Sequence, residues 1–106
     1  MITMILILGT FEWKYEGLRI VVTPSAGREL VHHGYTQHTV LKILEYGYGC
    51  SASRRKENII EKCIRKGNKE VKAVVARVET THPGGKKEEI WILIHFGVNT
   101  YRKGGI

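Results

Sequence analysis

The spacing of apolar positions predicts a β-hairpin near the start of the chain. Phe11, Trp13 and Tyr15 alternate with polar residues, which is the period of a half-buried strand. Residues 16–17 have the composition of a turn, and the apolar, β-branched run 18–22 follows them. We therefore expect two strands joined at this turn, the first of them continuing from the apolar residues before it.

The next segment carries the signals of two short helices. Thr23 and Pro24 place an N-cap residue before a proline at the first helical position, and Gly34 stands where a helix commonly ends. Thr36 is the expected N-cap of a second helix with apolar spacing i, i+3, i+4, i+7. The residues at that spacing are Val40, Ile43, Leu44 and Gly47. This pattern predicts a helical hairpin joined at residues 34–35.

The second half of the chain is expected to be extended. Residues 58–66 suit an amphipathic helix or a strand, but the hairpin-turn sequence 66–69 and the β-branched run 71–78 favour the strand. Residues 81–87 form a loop, and residues 88–96 are apolar on both faces, as in a central strand. Alternation places Ile90, Ile92, Ile94 and Phe96 on one face of that strand, and Trp91, Leu93 and His95 on the other.

The predicted order is β-β-α-α-β-β-β. It describes an α+β domain in which two helices of the N-terminal half pack on a curved antiparallel sheet. With 106 residues the chain is expected to form a single domain, 1–106. Its core is expected over residues 1–97, and residues 98–106 form a basic tail without a core pattern.

The amino-acid composition limits the kinds of catalytic and metal site that the chain can form. There are 17 basic residues against 10 acidic ones, all Glu, which excludes every site built on Asp, including Walker B magnesium sites and Ser-His-Asp triads. Abundant Lys, Arg and Glu with few amides indicate a thermophilic source. The cysteines, Cys50 and Cys63, lack zinc-ligand spacing and are interpreted as free thiols, with a disulfide left open for a hyperthermophile. We expect no metal and no cofactor.

The apolar run of residues 4–8 is far shorter than the roughly 18 residues of a membrane span. It also lacks the basic region and cleavage site of a signal peptide. A cytoplasmic protein without a membrane partner is therefore expected.

A cluster of positive charge occupies residues 54–72, with eight basic residues and three acidic ones. On an antiparallel ribbon Lys62 and Lys66 share a face, and such a ribbon can follow a phosphate backbone. The candidate nucleic-acid contacts are Arg54, Arg55, Lys56, Lys62, Arg65, Lys66 and Lys69. The alternative is a solvated surface hairpin.

His95 is the histidine placed on the predicted central strand. It is either a core histidine that is hydrogen-bonded to a backbone group, or a general acid or base at the sheet surface. Arg77 and Glu79 share one face of the preceding strand. We therefore consider His95 with Glu79 for proton transfer and Arg77 as a phosphate clamp.

The stretch from Thr23 to Tyr35 resembles the helical signature of domain-of-unknown-function family 4258, which runs roughly Ser-x-His-Ala-x-x-x-Met-x-x-Arg-Gly-Ile. Ala26, Leu30 and Gly34 stand at its Ala, Met and Gly positions, whereas Ser25 and His33 replace its His and Arg. That family looks like part of the broad RelE/ParE-toxin and barnase-like ribonuclease group. The resemblance implies two helices on a curved sheet and metal-independent cleavage of RNA, or poisoning of a partner.

The resulting expectation is a toxin-type, metal-independent endoribonuclease that acts on RNA or at the ribosome, with an acidic antitoxin-like protein as partner. The alternative is a non-catalytic nucleic-acid- or protein-binding module with the same fold. A homodimer is a further possibility that the sequence leaves open.

Overall fold

The computed structural model describes residues 13–50 and 57–100. Its elements are β1 (Lys14–Tyr15), β2 (Leu18–Val22), α1 (Pro24–His33), α2 (Gln37–Tyr46), β3 (Tyr48–Gly49), β4 (Ile59–Lys66), β5 (Lys69–Thr81) and β6 (Lys87–Thr100). This is the predicted α+β order with one short strand, β3, added between the helices and β4. In the described residues, the helices are too short or too polar to cross a bilayer.

The first hairpin forms as predicted. Tyr15 pairs with Leu18 across a turn in which Glu16 and Gly17 have φ values of 53° and 80°. Both values lie in the left-handed region, as a two-residue type I′ turn requires. Trp13 and Tyr15 are buried, as the alternation indicates, and Phe11 lies outside the described residues.

Local chemistry explains the boundaries of α1, whereas Thr36 stands at the N-cap position of α2 without a capping hydrogen bond from its side chain. Thr23 Oγ1 accepts a hydrogen bond from the Ala26 amide at 3.2 Å, so it caps α1, and Gly34 ends the helix with φ 76°. In α2 the predicted core residues Val40, Ile43 and Leu44 are fully buried.

Gly47 is needed for a close approach after α2. A Cβ at this position would collide with the carbonyl oxygens of Ile43 and Cys63. A glycine therefore lets the chain leave the helix directly against β4.

The sheet has the strand order β1-β2-β6-β5-β4-β3. β6 pairs antiparallel with β5, which pairs antiparallel with β4, but β2 runs parallel to β6, with Ile20 opposite Trp91. The expectation of a wholly antiparallel sheet is therefore wrong at this pair. A parallel pair needs a long crossover connection, and the segment from α1 onward provides it.

A β-bulge interrupts β6. Val75 pairs with Leu93 and Val74 pairs with His95, so Ile94 has no residue opposite it. Because of this extra residue, Phe96 joins Leu93 in the core, and His95 lies on the opposite face. The predicted faces of Phe96 and His95 are therefore wrong.

In the described residues, only one face of the sheet packs against the helices. On the helix face, Val71, Ala73 and Val75 of β5 pack in the core with residues of both helices. The intervening residues Lys72 and Val74 point to the other side, which we call the reverse face.

β6 continues along β5 to Thr100, past the predicted core end at residue 97, and its Val98 packs against the core.

The cysteines form a disulfide between Cys50 and Cys63, with an Sγ–Sγ distance of 2.02 Å. The free-thiol interpretation is therefore wrong. The pairing of β3 with β4 brings the two Cα atoms to 5.7 Å, well inside the range that a disulfide bridges.

Candidate active site

His95 is exposed on the reverse face rather than enclosed in the core. It sits on β6 directly opposite Val74, immediately after the bulge. Its Nε2 atom lies 3.1 Å from the place where a Cβ of residue 97 would be, so Gly97 leaves the space that the imidazole occupies. The ring therefore leans over Gly97, towards the row in which Gly97 pairs with Lys72.

Lys72 and Glu61 form an ion pair beside this histidine. Lys72 Nζ lies 3.0 Å from Glu61 Oε2, and the Glu61 side chain is only 4% exposed, against 25% for Lys72. Glu61 pairs with Val74, so Glu61, Val74 and His95 form one row across three strands. We call His95, Lys72 and Glu61 the reverse-face site.

A second polar cluster lies on the reverse face, in the row beyond Lys72 and Gly97. Arg65 pairs with Glu70, and Glu70 pairs with Asn99. Tyr48 of β3 donates its hydroxyl proton to Glu70 Oε2 at 2.9 Å. This hydrogen bond is the main cause of a raised pKa for the Tyr48 phenol, and Arg65 acts in the opposite direction.

The structure does not bring Arg77 and Glu79 to His95. Both residues lie on the side of β5 opposite to the reverse face, with Arg77 opposite Trp91 and Glu79 opposite Glu89. The Arg77 guanidinium binds Glu89 Oε1 at 2.8 Å in an exposed ion pair. These two residues and His95 therefore do not form one site.

The predicted basic ribbon is divided between the two faces. Arg65 and Lys72 lie on the reverse face, whereas Lys62, Lys66 and Lys69 lie on the helix face. Arg54, Arg55 and Lys56 lie outside the described residues.

Lys62 is held in place by hydrogen bonds to other groups of the protein. Its Nζ donates to the Leu44 carbonyl oxygen at 3.0 Å and to the Tyr15 hydroxyl at 3.3 Å. The carbonyl belongs to the last turn of α2, where a cation is favoured by the helix dipole. Lys66, further along the same face, has its Nζ 5.3 Å from the ring centroid of Tyr35.

Sequence reasoning missed Lys72 and Glu61 as partners of His95. The turn at residues 66–69 fixes the pairing of β4 with β5, so the closeness of these two residues could be found from the sequence. Their closeness to His95 could not, because regular alternation along β6 places His95 on the wrong face.

Within residues 13–50 and 57–100, no group of three or more His, Cys or Glu side chains could hold a metal ion. Comparisons with protein-family models, with curated proteins and with solved structures found no match. The resemblance to family 4258 therefore stays a prediction, and the candidate site rests on this chain's own geometry.

Proposed function

We propose that the chain is a toxin-type, metal-independent endoribonuclease that cleaves RNA on its reverse face. The observation that supports this most is the exposed imidazole of His95 in the row next to Lys72, whose ammonium is fixed by Glu61. A proton-transfer group and a cation therefore lie on neighbouring strands of one rigid sheet.

This pair of groups suits attack by the ribose 2′-hydroxyl on the adjacent phosphate. His95 accepts the 2′-hydroxyl proton as the 2′-oxygen bonds to phosphorus, and the 5′-oxygen leaves with a proton from solvent. Lys72 stabilises the negative charge that develops on the phosphate oxygens. Glu61 acts as a positioning residue, because it holds the Lys72 ammonium at 3.0 Å.

The proposed place of action is the cytoplasm, with RNA or the ribosome as target and an acidic antitoxin-like protein as partner. A disulfide such as Cys50–Cys63 persists inside hyperthermophilic cells, so it is compatible with the thermophilic source that the composition indicates. Arg77 and Glu79 take no part in this proposal, since they lie on the other side of β5.

RNA cleavage is expected to depend on His95. In buffer with a metal chelator, His95→Gln should reduce the rate of RNA cleavage by about 10²–10⁴-fold, the usual loss for a proton-transfer group. Because His95 is exposed, the variant should keep its melting temperature. The control is His32→Gln, which changes an exposed histidine of α1 and should leave cleavage unchanged.

Unchanged cleavage by His95→Gln would contradict the catalytic role of this residue. Binding of RNA by the wild-type protein without any cleavage would favour the non-catalytic binding module instead. That alternative has its own support in Tyr48, whose side chain keeps 43% of its surface exposed.

A further inference from the structure

We infer that Tyr48 is a stacking platform for an unpaired nucleobase, and that the substrate is accordingly single-stranded RNA. The inference deepens the proposed function, since it rests on RNA binding to the reverse face. It adds a ligand-binding residue that the reaction chemistry itself does not use.

The Tyr48 ring extends from β3 across the neighbouring strand. Tyr48 lies on β3 opposite Cys63 of β4, whereas its hydroxyl binds Glu70 on β5. The phenol side chain therefore crosses β4 on the reverse face. Cys63 beneath it has no exposed surface, while Tyr48 keeps 43% of its own exposed.

The Tyr48 side chain is held at both ends. The hydroxyl is fixed by the 2.9 Å hydrogen bond to Glu70, and the backbone is fixed by strand pairing and by the disulfide two residues further on, at Cys50. A side chain ordered before binding loses little conformational entropy when a ligand stacks on it. Exposure and order together are what a stacking platform needs.

The spacing of the strands sets the distance between the Tyr48 ring and the reverse-face site. Neighbouring strands lie about 4.8 Å apart, so β4 and β6 are separated by roughly 10 Å. This spacing leaves room for a ribose-phosphate unit between the Tyr48 ring over β4 and His95 on β6. Lys72 lies on β5 between them, and Arg65 lies beside the ring, so cations flank the path of the backbone.

Stacking on Tyr48 requires an RNA base with a free face. A base in a duplex is paired and stacked between its neighbours, so its face is not free to contact a side chain. Proteins that bind single-stranded RNA stack its exposed bases on aromatic residues and track its backbone with cations. The arrangement of Tyr48, Lys72 and Arg65 fits this class.

The experiment measures fluorescence anisotropy of a labelled single-stranded RNA oligomer and of a matched RNA hairpin duplex. The full chain is used with His95→Gln in the background, so that binding is read without cleavage. Tyr48→Leu removes the ring and keeps an apolar side chain, Tyr48→Phe removes only the hydroxyl, and Tyr46→Leu is the matched control at the end of α2. Thermal unfolding of each variant shows that it is folded.

Tyr48→Leu should weaken single-strand binding by roughly 5- to 150-fold, the range measured for loss of one base–aromatic contact. Tyr48→Phe should weaken it less, because the ring stays but its link to Glu70 is lost. Tyr46→Leu should have no comparable effect, and the duplex should bind more weakly than the single strand.

Equal losses for Tyr48→Leu and Tyr46→Leu, or a duplex bound as tightly as the single strand, would overturn the inference. Single-strand binding indifferent to Tyr48→Leu, combined with cleavage that depends on His95, would overturn the stacking role and leave the proposed function standing. Loss of binding in Tyr48→Leu without any cleavage by the wild-type protein would support the stacking role and contradict the nuclease.

Discussion

At the scale of single residues, Glu88 connects three parts of the molecule. Its two carboxylate oxygens accept hydrogen bonds of 3.1 Å each from the Arg19 guanidinium of β2. Its Oε1 atom also lies 2.6 Å from His82 Nε2, in the loop between β5 and β6. The hydrogen bonds from Arg19 first, and from His82 second, lower the pKa of Glu88 from 4.5 to about 2.

This lowered pKa predicts an acid-sensitive contribution to stability. A carboxyl group whose pKa is lower in the folded state stabilises the fold above its unfolded pKa, and the contribution is lost as the pH falls towards the folded pKa. The advantage of the wild type over Glu88→Gln should therefore be complete above pH 4.5 and shrink between pH 4.5 and about 2. Urea unfolding at several pH values measures this.

The control for Glu88 is Glu57→Gln, which removes an exposed carboxyl group in the turn before β4. Its difference from the wild type should change less over the same pH range. A difference between wild type and Glu88→Gln that stays constant from pH 6 to pH 2 would contradict the assigned role.

At the scale of elements, the boundaries of α1 and of the hairpin turns could be predicted because local chemistry decides them. Thr23 caps α1 through its own side chain, and Gly34 and Gly67 adopt left-handed φ values of 76° and 62° that glycine tolerates best. These preferences act within a few residues of the chain. The sequence therefore shows them without knowledge of the fold.

The bulge and the disulfide could not be predicted, because both depend on which strand lies alongside. Ile94 has the same apolar character as Ile92, and only the pairing with β5 leaves it without an opposite residue. Cys50 reaches Cys63 through β3, a two-residue strand that no hydrophobic pattern marks. The parallel pairing of β2 with β6 is non-local in the same way.

The disulfide is expected to stabilise the edge of the sheet measurably. It joins residues 13 positions apart, and closing a loop of about this length is worth about 3 kcal/mol in the chain-entropy model. Cys50→Ala should therefore lower the free energy of unfolding by about this amount, and reduction of the wild type should lower it similarly. Urea unfolding with and without a reductant provides the measurement.

The double variant Cys50→Ala, Cys63→Ala tests whether the disulfide bond itself is responsible for this stabilisation. Its first change already breaks the bond, so the second should add only the loss of the buried Cys63 sulfur. An unfolding midpoint that does not respond to reductant would contradict the expectation.

At the scale of the whole molecule, basic side chains are distributed over both faces of the sheet. The net charge of +7 attracts a polyanion to the protein in general. The sequence identified the basic cluster of residues 54–72 and His95, but the reverse-face site emerges only when β4, β5 and β6 are aligned. That alignment separates Arg65 from its chain neighbour Lys66.

Arg65 and Lys66 therefore make a matched pair for locating bound RNA. Both are exposed, both carry one positive charge, and they lie on opposite faces of β4. For single-stranded nucleic acid, each neutralised phosphate contributes about 0.7 to the slope of log affinity against log salt concentration. If RNA follows the reverse face, Arg65→Gln should reduce that slope by about 0.7, whereas Lys66→Gln should leave it nearly unchanged.

The measurement is anisotropy of a single-stranded RNA oligomer between about 50 and 200 mM salt, with His95→Gln in the background. Equal reductions of the slope by both variants would mean that the positive charge acts only through the overall field of the protein. A larger reduction by Lys66→Gln would place the RNA on the helix face, where Lys66 lies beside Tyr35. In that case the face of β4 that Lys62 and Lys66 share, and not the reverse face, would be the binding surface.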